Sequence, residues 1–276
     1  WSPWVPFTAT KEEFRQIPRE PGLYRIKPVG KDFLMYIGET RRTTHERLNE
    51  LRHTLKRTDL MPWYDPITEA PSLWAWQDAE GFEYECSAAP LDASQGGRRG
   101  MESFLLYRYR QEYGASTPCN FGRFHPRYRK STNRKENRRG GKLAENHLDN
   151  PAGGPGMPPL PAIGTPGDQD WMGLAWSGIR PLDGETTCKV PQGSGLYLLF
   201  ERDSGDLVYI GQSVDCAQRI RSHAMKLLDE KDMLFSYYID GQPLLPHNLK
   251  EWENDLIGNY FEAYRKAPKL QFGNNR

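Results

Sequence analysis

The chain has 276 residues and a formal net charge of +1, so no global field draws it onto nucleic acid and any such footprint has to come from local clustering. Its mean hydropathy of −0.78 and 22 prolines describe small cores and long connections, and no apolar run approaches the roughly 20 residues of a membrane span. Cys86, Cys119, Cys188 and Cys216 form no C-x-x-C pair, which argues against a zinc site or a disulfide framework and fits a reducing cytoplasm.

No signal-peptide pattern stands at the N-terminus, and a start at Trp1 rather than Met is expected of a trimmed chain. Trp4-Val5-Pro6-Phe7 and Ile17-Pro18 lead to Gly22-Leu23-Tyr24, read as a strand, and a turn at Pro28-Val29-Gly30 joins it to a second strand at Tyr36-Ile37-Gly38. Residues 45–55 have helical spacing. An aromatic, strand-like run follows at Leu73-Trp74-Ala75-Trp76, then a helix over 101–112 that contains Glu102. The segment closes on Pro118-Cys119-Asn120-Phe121-Gly122.

Residues 123–142 carry nine Lys/Arg against one Glu, interleaved with Phe124, His125 and Tyr128. That density predicts a surface that tracks a phosphate backbone, with Arg123, Arg127, Arg129, Lys130, Arg134, Lys135, Arg138 and Arg139 as DNA-binding candidates. Residues 150–170 are dense in Pro and Gly, without periodicity, and read as a linker too poor in apolar residues for a core.

The first pattern then recurs. Val190-Pro191 precedes Gly195-Leu196-Tyr197, a turn at Asp203-Ser204-Gly205 and Tyr209-Ile210-Gly211. The step from Gly22 to Gly195, from Tyr24 to Tyr197 and from Tyr36 to Tyr209 is 173 residues each time. A helix over 215–228, an aromatic strand at 234–238, a helix over 252–264 with Glu253 and a closing Pro268 to Gly273 complete the copy. The expectation is an α+β chain of two tandem small modules, each a small mixed β-sheet with packed helices. The boundaries are 1–142 for the first module with its basic extension, 143–170 for the linker and 171–276 for the second module.

Hydrolysing a phosphodiester needs an oriented water, a base for its proton and a cation on the pentacovalent phosphate. One well-placed Glu suffices for Mg²⁺, which keeps several waters. A phenol, with a pKa near 10, is a poor base at neutral pH; a nearby Arg and a metal-bound water either depress that value or leave the phenol to position the nucleophile.

A Gly-Leu-Tyr strand, a Tyr-Ile-Gly strand, an arginine, a glutamate and a closing amide in this order resemble the GIY-YIG nuclease family over most of 1–125 and 171–273. The resemblance implies a divalent-metal-dependent endonuclease using Mg²⁺ or Mn²⁺. Two tyrosines would flank the attacking water, a helix Arg would contact the phosphate, a Glu would hold the cation and an Asn would tie the site together. Carried over by position, the catalytic set is Tyr24, Tyr36, Arg47, Glu102 and Asn120 in the first copy. In the second it is Tyr197, Tyr209, Arg219, His223 and Glu253, with Glu102 and Glu253 as the metal ligands.

Arg47 lies nine residues after Gly38 where the family has eight, so Arg42 competes with it, and His53 stands in for the family's helix histidine. Arg219 lies eight residues after Gly211 with His223 one turn on, while Gln271 aligns with Asn120 and Glu251 is an alternative to Glu253. The resemblance further implies double-stranded DNA as partner and a restriction or phage-defence role, the fused pair acting as an intramolecular dimer that cuts both strands. A structure-specific repair or mobile-element nuclease is the alternative. So is a DNA-binding or sensing protein with one or both sites inactive.

Overall fold

The computed structural model describes residues 1–63, 69–131, 138–146, 150–227, 233–242 and 244–273. Their backbone is α+β and falls into two compact units, Trp1–Arg98 with Ser116–Gly156, and Arg99–Ala115 with Met157–Arg276. No helix among the described residues is long and apolar enough to cross a membrane.

The first unit runs β1 (Val5–Pro6), α1 (Lys11–Phe14), β2 (Gly22–Pro28), β3 (Tyr36–Thr40), α2 (Thr44–Thr54), α3 (Ala70–Glu80) and β4 (Tyr84–Pro90), and it also holds the start of α4 (Gln95–Tyr113). Its sheet has the order β1-β4-β2-β3. The second unit takes the rest of α4, then β7 (Arg180–Pro181), α5 (Gly184–Thr187), β8 (Gly195–Glu201), β9 (Leu207–Ser213), α6 (Cys216–Leu227), β10 (Met233–Ile239) and α7 (Pro246–Tyr264). Its sheet has the order β7-β10-β8-β9. Between them in sequence, β5 (Tyr128–Arg129) and β6 (Gly141–Lys142) form a two-stranded ribbon in the first unit. The sheets are not mixed as expected: every pairing among the described residues is antiparallel, and within each signature a hairpin turn dictates that direction.

The two sheets share their signature register. Tyr24 lies opposite Gly38 and Tyr197 opposite Gly211. A Cβ on Gly38 would stand 2.7 Å from the Tyr24 hydroxyl, and one on Gly211 2.3 Å from the Tyr197 ring, so each tyrosine lies across a strand that has no side chain at that point. The first glycine of each signature meets a different constraint. A Cβ on Gly22 would be 2.2 Å from the Ala89 carbonyl oxygen, and one on Gly195 2.0 Å from that of Tyr238. Gly30 and Gly205 turn the two hairpins at φ 73° and 72°, a backbone region that costs glycine nothing.

Residues 73–76 are not a strand. They lie in α3, with proline in the first turn and Gly81 closing it at φ 69°; tertiary burial of Leu73 and Ala75 outweighs the strand preference of the two tryptophans. The proline at the start is where a helix tolerates it.

The predicted linker also divides. Residues 143–156 belong to the first unit, whereas 157–170 run with the second. There Leu160 is buried and Met157 packs beside it in one apolar cluster with Trp171, Met172, Leu198 and Phe200. Their backbone finds partners too: Met157 N–H donates to Glu251 Oε2 at 2.7 Å and Leu160 N–H to Asp255 Oδ2 at 3.0 Å. A Pro-rich segment therefore covers one face of the second sheet, where each large apolar side chain buried contributes about 2 kcal/mol. At the corresponding positions of the first sheet stand Arg25 and Lys27 instead, and Arg25 is stacked between Trp1 and Trp4 at 4.4 and 4.7 Å.

Candidate active sites

The second unit gathers its predicted residues. Tyr197 comes from the central strand β8 and Tyr209 from the edge strand β9, their rings stacked at 5.9 Å and 29°. Asp215 starts α6 by accepting from the Gln218 N–H at 2.9 Å, and one turn separates Arg219 from His223 on that helix. His223 Nε2 lies 2.9 Å from the Tyr197 hydroxyl, with its ring 5.3 and 5.6 Å from the two tyrosine rings. Arg219 hydrogen-bonds to Tyr197 and is held above its ordinary pKa, chiefly by that bond. Its side chain is exposed, and among the described residues no carboxylate forms an ion pair with it.

Glu253 reaches this group from α7. Burial pushes its pKa up to about 7, against Lys250, Arg219 and a hydrogen bond from the Gln212 backbone. Burial likewise raises both tyrosines; the partner phenol adds to the rise at Tyr197, and Glu253 adds to it at Tyr209. Neither phenol is a phenolate at neutral pH, so each orients rather than takes a proton outright. Glu251, the alternative carboxylate, is fully buried among Met157, Asn248 and Arg110; it belongs to the packing of α7, not to the tyrosine cluster.

The first unit repeats the tyrosine pair, Tyr24 and Tyr36 stacking at 5.9 Å and 27°. Here Arg47, not Arg42, meets it: Arg47 Nε donates to the Tyr24 hydroxyl at 3.3 Å, whereas Arg42 pairs with Glu50 at 2.5 Å on the surface. His53 is exposed on α2. The acceptor for the Tyr24 hydroxyl is Glu69, a residue that no motif in the sequence points to. Tyr24 donates to Glu69 Oε1 at 2.7 Å, and Arg47 Nη2 donates to both carboxylate oxygens at 2.8 and 2.9 Å. The Glu69 side chain is 0% exposed and that of Arg47 16%. Burial opposes the Arg47 charge, yet Tyr24 and Glu69 outweigh it and hold its pKa above the ordinary value. Burial and then Glu69 raise Tyr24 well above its own. Glu102 stands eighth in α4, as Glu253 does in α7, on the part of α4 that belongs to the second unit.

Asn120 and Gln271 do one job. Asn120 accepts from the Ile37 N–H at 3.0 Å and donates to the Ile37 carbonyl at 2.8 Å; Gln271 makes the same two bonds to Ile210, both at 2.8 Å. Beside Tyr36, Glu69 and Asn120 lies a cavity of about 170 Å³ that Arg123 and Lys130 also line.

Of the basic extension, Arg127, Arg129, Lys130, Arg138 and Arg139 are exposed and Arg123 is half-buried. Tyr128 is buried with Phe124 and Ala75 and anchors the β5–β6 ribbon. Arg123 donates to the Ser116 carbonyl at 3.2 Å and Arg139 to that of Asp59 at 3.2 Å. Arg134 and Lys135 lie outside the described residues.

Among the described residues no group of three or more His, Cys, Asp and Glu side chains stands together to hold a metal ion. Glu253 is then a single carboxylate donor with Tyr209 and Arg219 around it. One hard oxygen ligand completed by water suits Mg²⁺, and a carboxylate whose charge is disfavoured by burial gains from a cation beside it. Compared with known proteins, the chain matches no family model and no curated protein.

Proposed function

We propose that this chain is a divalent-metal-dependent endonuclease that hydrolyses DNA phosphodiester bonds, with the cluster of the second unit as its hydrolytic site. The observation that carries the reading is the convergence of Tyr197, Tyr209, Arg219, His223 and Glu253 from two strands and two helices. Arg219 offers an exposed guanidinium to the phosphate. Tyr197 orients the attacking water and passes its proton toward His223 Nε2, the atom its hydroxyl already touches. Tyr209 packs against both rings and fixes the far side of that water's position. Glu253 would hold the cation in its deprotonated form. When bound, that cation neutralises charge on the pentacovalent phosphate.

The exposed arginines of the basic extension support DNA as the partner. A restriction or phage-defence role on duplex DNA rests on the family resemblance and on the presence of two tyrosine pairs. The test is incubation of the full chain with supercoiled plasmid and Mg²⁺ or Mn²⁺. Metal-dependent nicking or linearisation is expected, and no cleavage with either metal counts against the reading.

A further inference from the structure

We propose that the first unit's cluster is an oxyanion site built by Arg47 and Tyr24 whose resident occupant is the carboxylate of Glu69. Its external ligand is a phosphate or phosphodiester, which binds only when that carboxylate leaves. The choice of ligand rests on the nuclease reading; the occupancy does not.

The geometry is that of a bound anion. One carboxylate takes two bonds from Arg47 Nη2 and one from the Tyr24 hydroxyl, at 2.7 to 2.9 Å. Both carboxylate oxygens rest on the one nitrogen Nη2, a charge-assisted contact of the kind that carboxylates and phosphates both make with arginine. The second unit supplies the contrast: its tyrosine pair has the same ring separation of 5.9 Å. There the tyrosine hydroxyl meets His223, and among the described residues no carboxylate pairs with Arg219. Glu69 is also not needed where it sits for its own helix, because it precedes α3 without making a side-chain cap bond.

Two anions cannot share Arg47 at these distances, since like charges about 4 Å apart repel strongly in a buried setting. An incoming phosphate therefore competes with Glu69. The carboxylate has somewhere to go: the cavity of about 170 Å³ beside it is lined by Arg123 and Lys130. Displacement would move the carboxylate toward a wall that carries two cationic residues and open Arg47.

The test uses the full chain with ¹³C-labelled tyrosine rings, titrated with inorganic phosphate and read by NMR. In the wild type, Tyr197 and Tyr209 are expected to shift while Tyr24 stays unmoved over the same range. In Glu69→Gln, which keeps the side-chain shape, Tyr24 is expected to respond with an affinity about tenfold tighter or more, and the gain is expected to vanish in Glu69→Gln combined with Arg47→Met. Tyr24 responding in the wild type at the same phosphate concentration as Tyr197 overturns the proposal, as does a folded Glu69→Gln chain in which Tyr24 remains silent. Should Glu69→Gln not fold, the wild-type comparison still decides. Because the readout is phosphate binding, a chain inert on plasmid yet showing the Glu69→Gln gain would sink the nuclease reading and leave this one standing.

Discussion

Gln271 holds Ile210 by both ends of its amide, and Asn120 holds Ile37 the same way. Ile37 and Ile210 lie on the edge strands of their sheets, where a backbone N–H and C=O would otherwise face outward unpaired. An amide side chain sets an N–H donor beside a C=O acceptor, so it can pair with both backbone groups of one residue and close the edge there. The neighbouring residues of that strand are the signature tyrosine and glycine. Gln271→Leu, which keeps the bulk and removes both bonds, should cost about 2 kcal/mol in chemical denaturation. It should also loosen Tyr209, visible as a weaker near-ultraviolet circular dichroism signal.

Gly211→Ala should be worse than its size suggests. The new methyl would sit 2.3 Å from the Tyr197 ring, and that ring is 1% exposed with nowhere to retreat. Overpacking of this kind costs about 1–3 kcal/mol. Denaturation should show that loss together with a drop in cleavage; a variant as stable and active as the wild type would contradict the packing account.

Glu253 sets a pH dependence whose sign is fixed by its raised pKa. Between an unfolded value of 4.5 and a folded value of about 7, the folded protein keeps a proton that the unfolded chain has released. Its contribution to stability is therefore full below pH 4.5 and is lost as pH rises through about 7. A divalent cation binds the deprotonated form, so Mg²⁺ should raise the melting temperature more at pH 8 than at pH 6. Glu253→Gln should flatten both trends, as scanning calorimetry across that range will show.

Tyr197→Phe separates packing from chemistry. The ring stays stacked on Tyr209, while the hydroxyl that touches His223 is gone. Cleavage should fall about a hundredfold with little change in melting temperature. Tyr24→Phe should leave cleavage nearly intact, since the Tyr24 hydroxyl is already bound to Glu69.

The tyrosine pairs and the hairpins were legible in the sequence because each depends on local rules, whereas the membership of the second cluster came from the resemblance to a known family. Glycine is needed where a ring or a carbonyl crosses, a turn needs Gly30 or Gly205, and Arg219 and His223 share a helix face through their spacing. Arg47 was favoured over Arg42 but Arg42 stayed open, since a one-residue shift can be absorbed in the turn before α2. Glu69 was hidden for a stronger reason. It lies 45 residues from Tyr24, just before a helix whose tryptophans read as a strand, and only tertiary packing brings it to the Tyr24 hydroxyl. The same holds for 157–170: Pro and Gly describe a linker, and the burial of Leu160 depends on α7, almost a hundred residues on.

Hydrolysis of DNA by the second unit's cluster is the step on which the proposed function depends. Its most direct measurement is single-turnover cleavage of plasmid in Mg²⁺ by the wild type, Glu253→Gln, Arg219→Ala and Tyr24→Phe, each shown to be folded. Cleavage is expected from the wild type and Tyr24→Phe, with a loss of about a hundredfold or more in the other two. Unchanged cleavage by Glu253→Gln and Arg219→Ala would contradict this expectation.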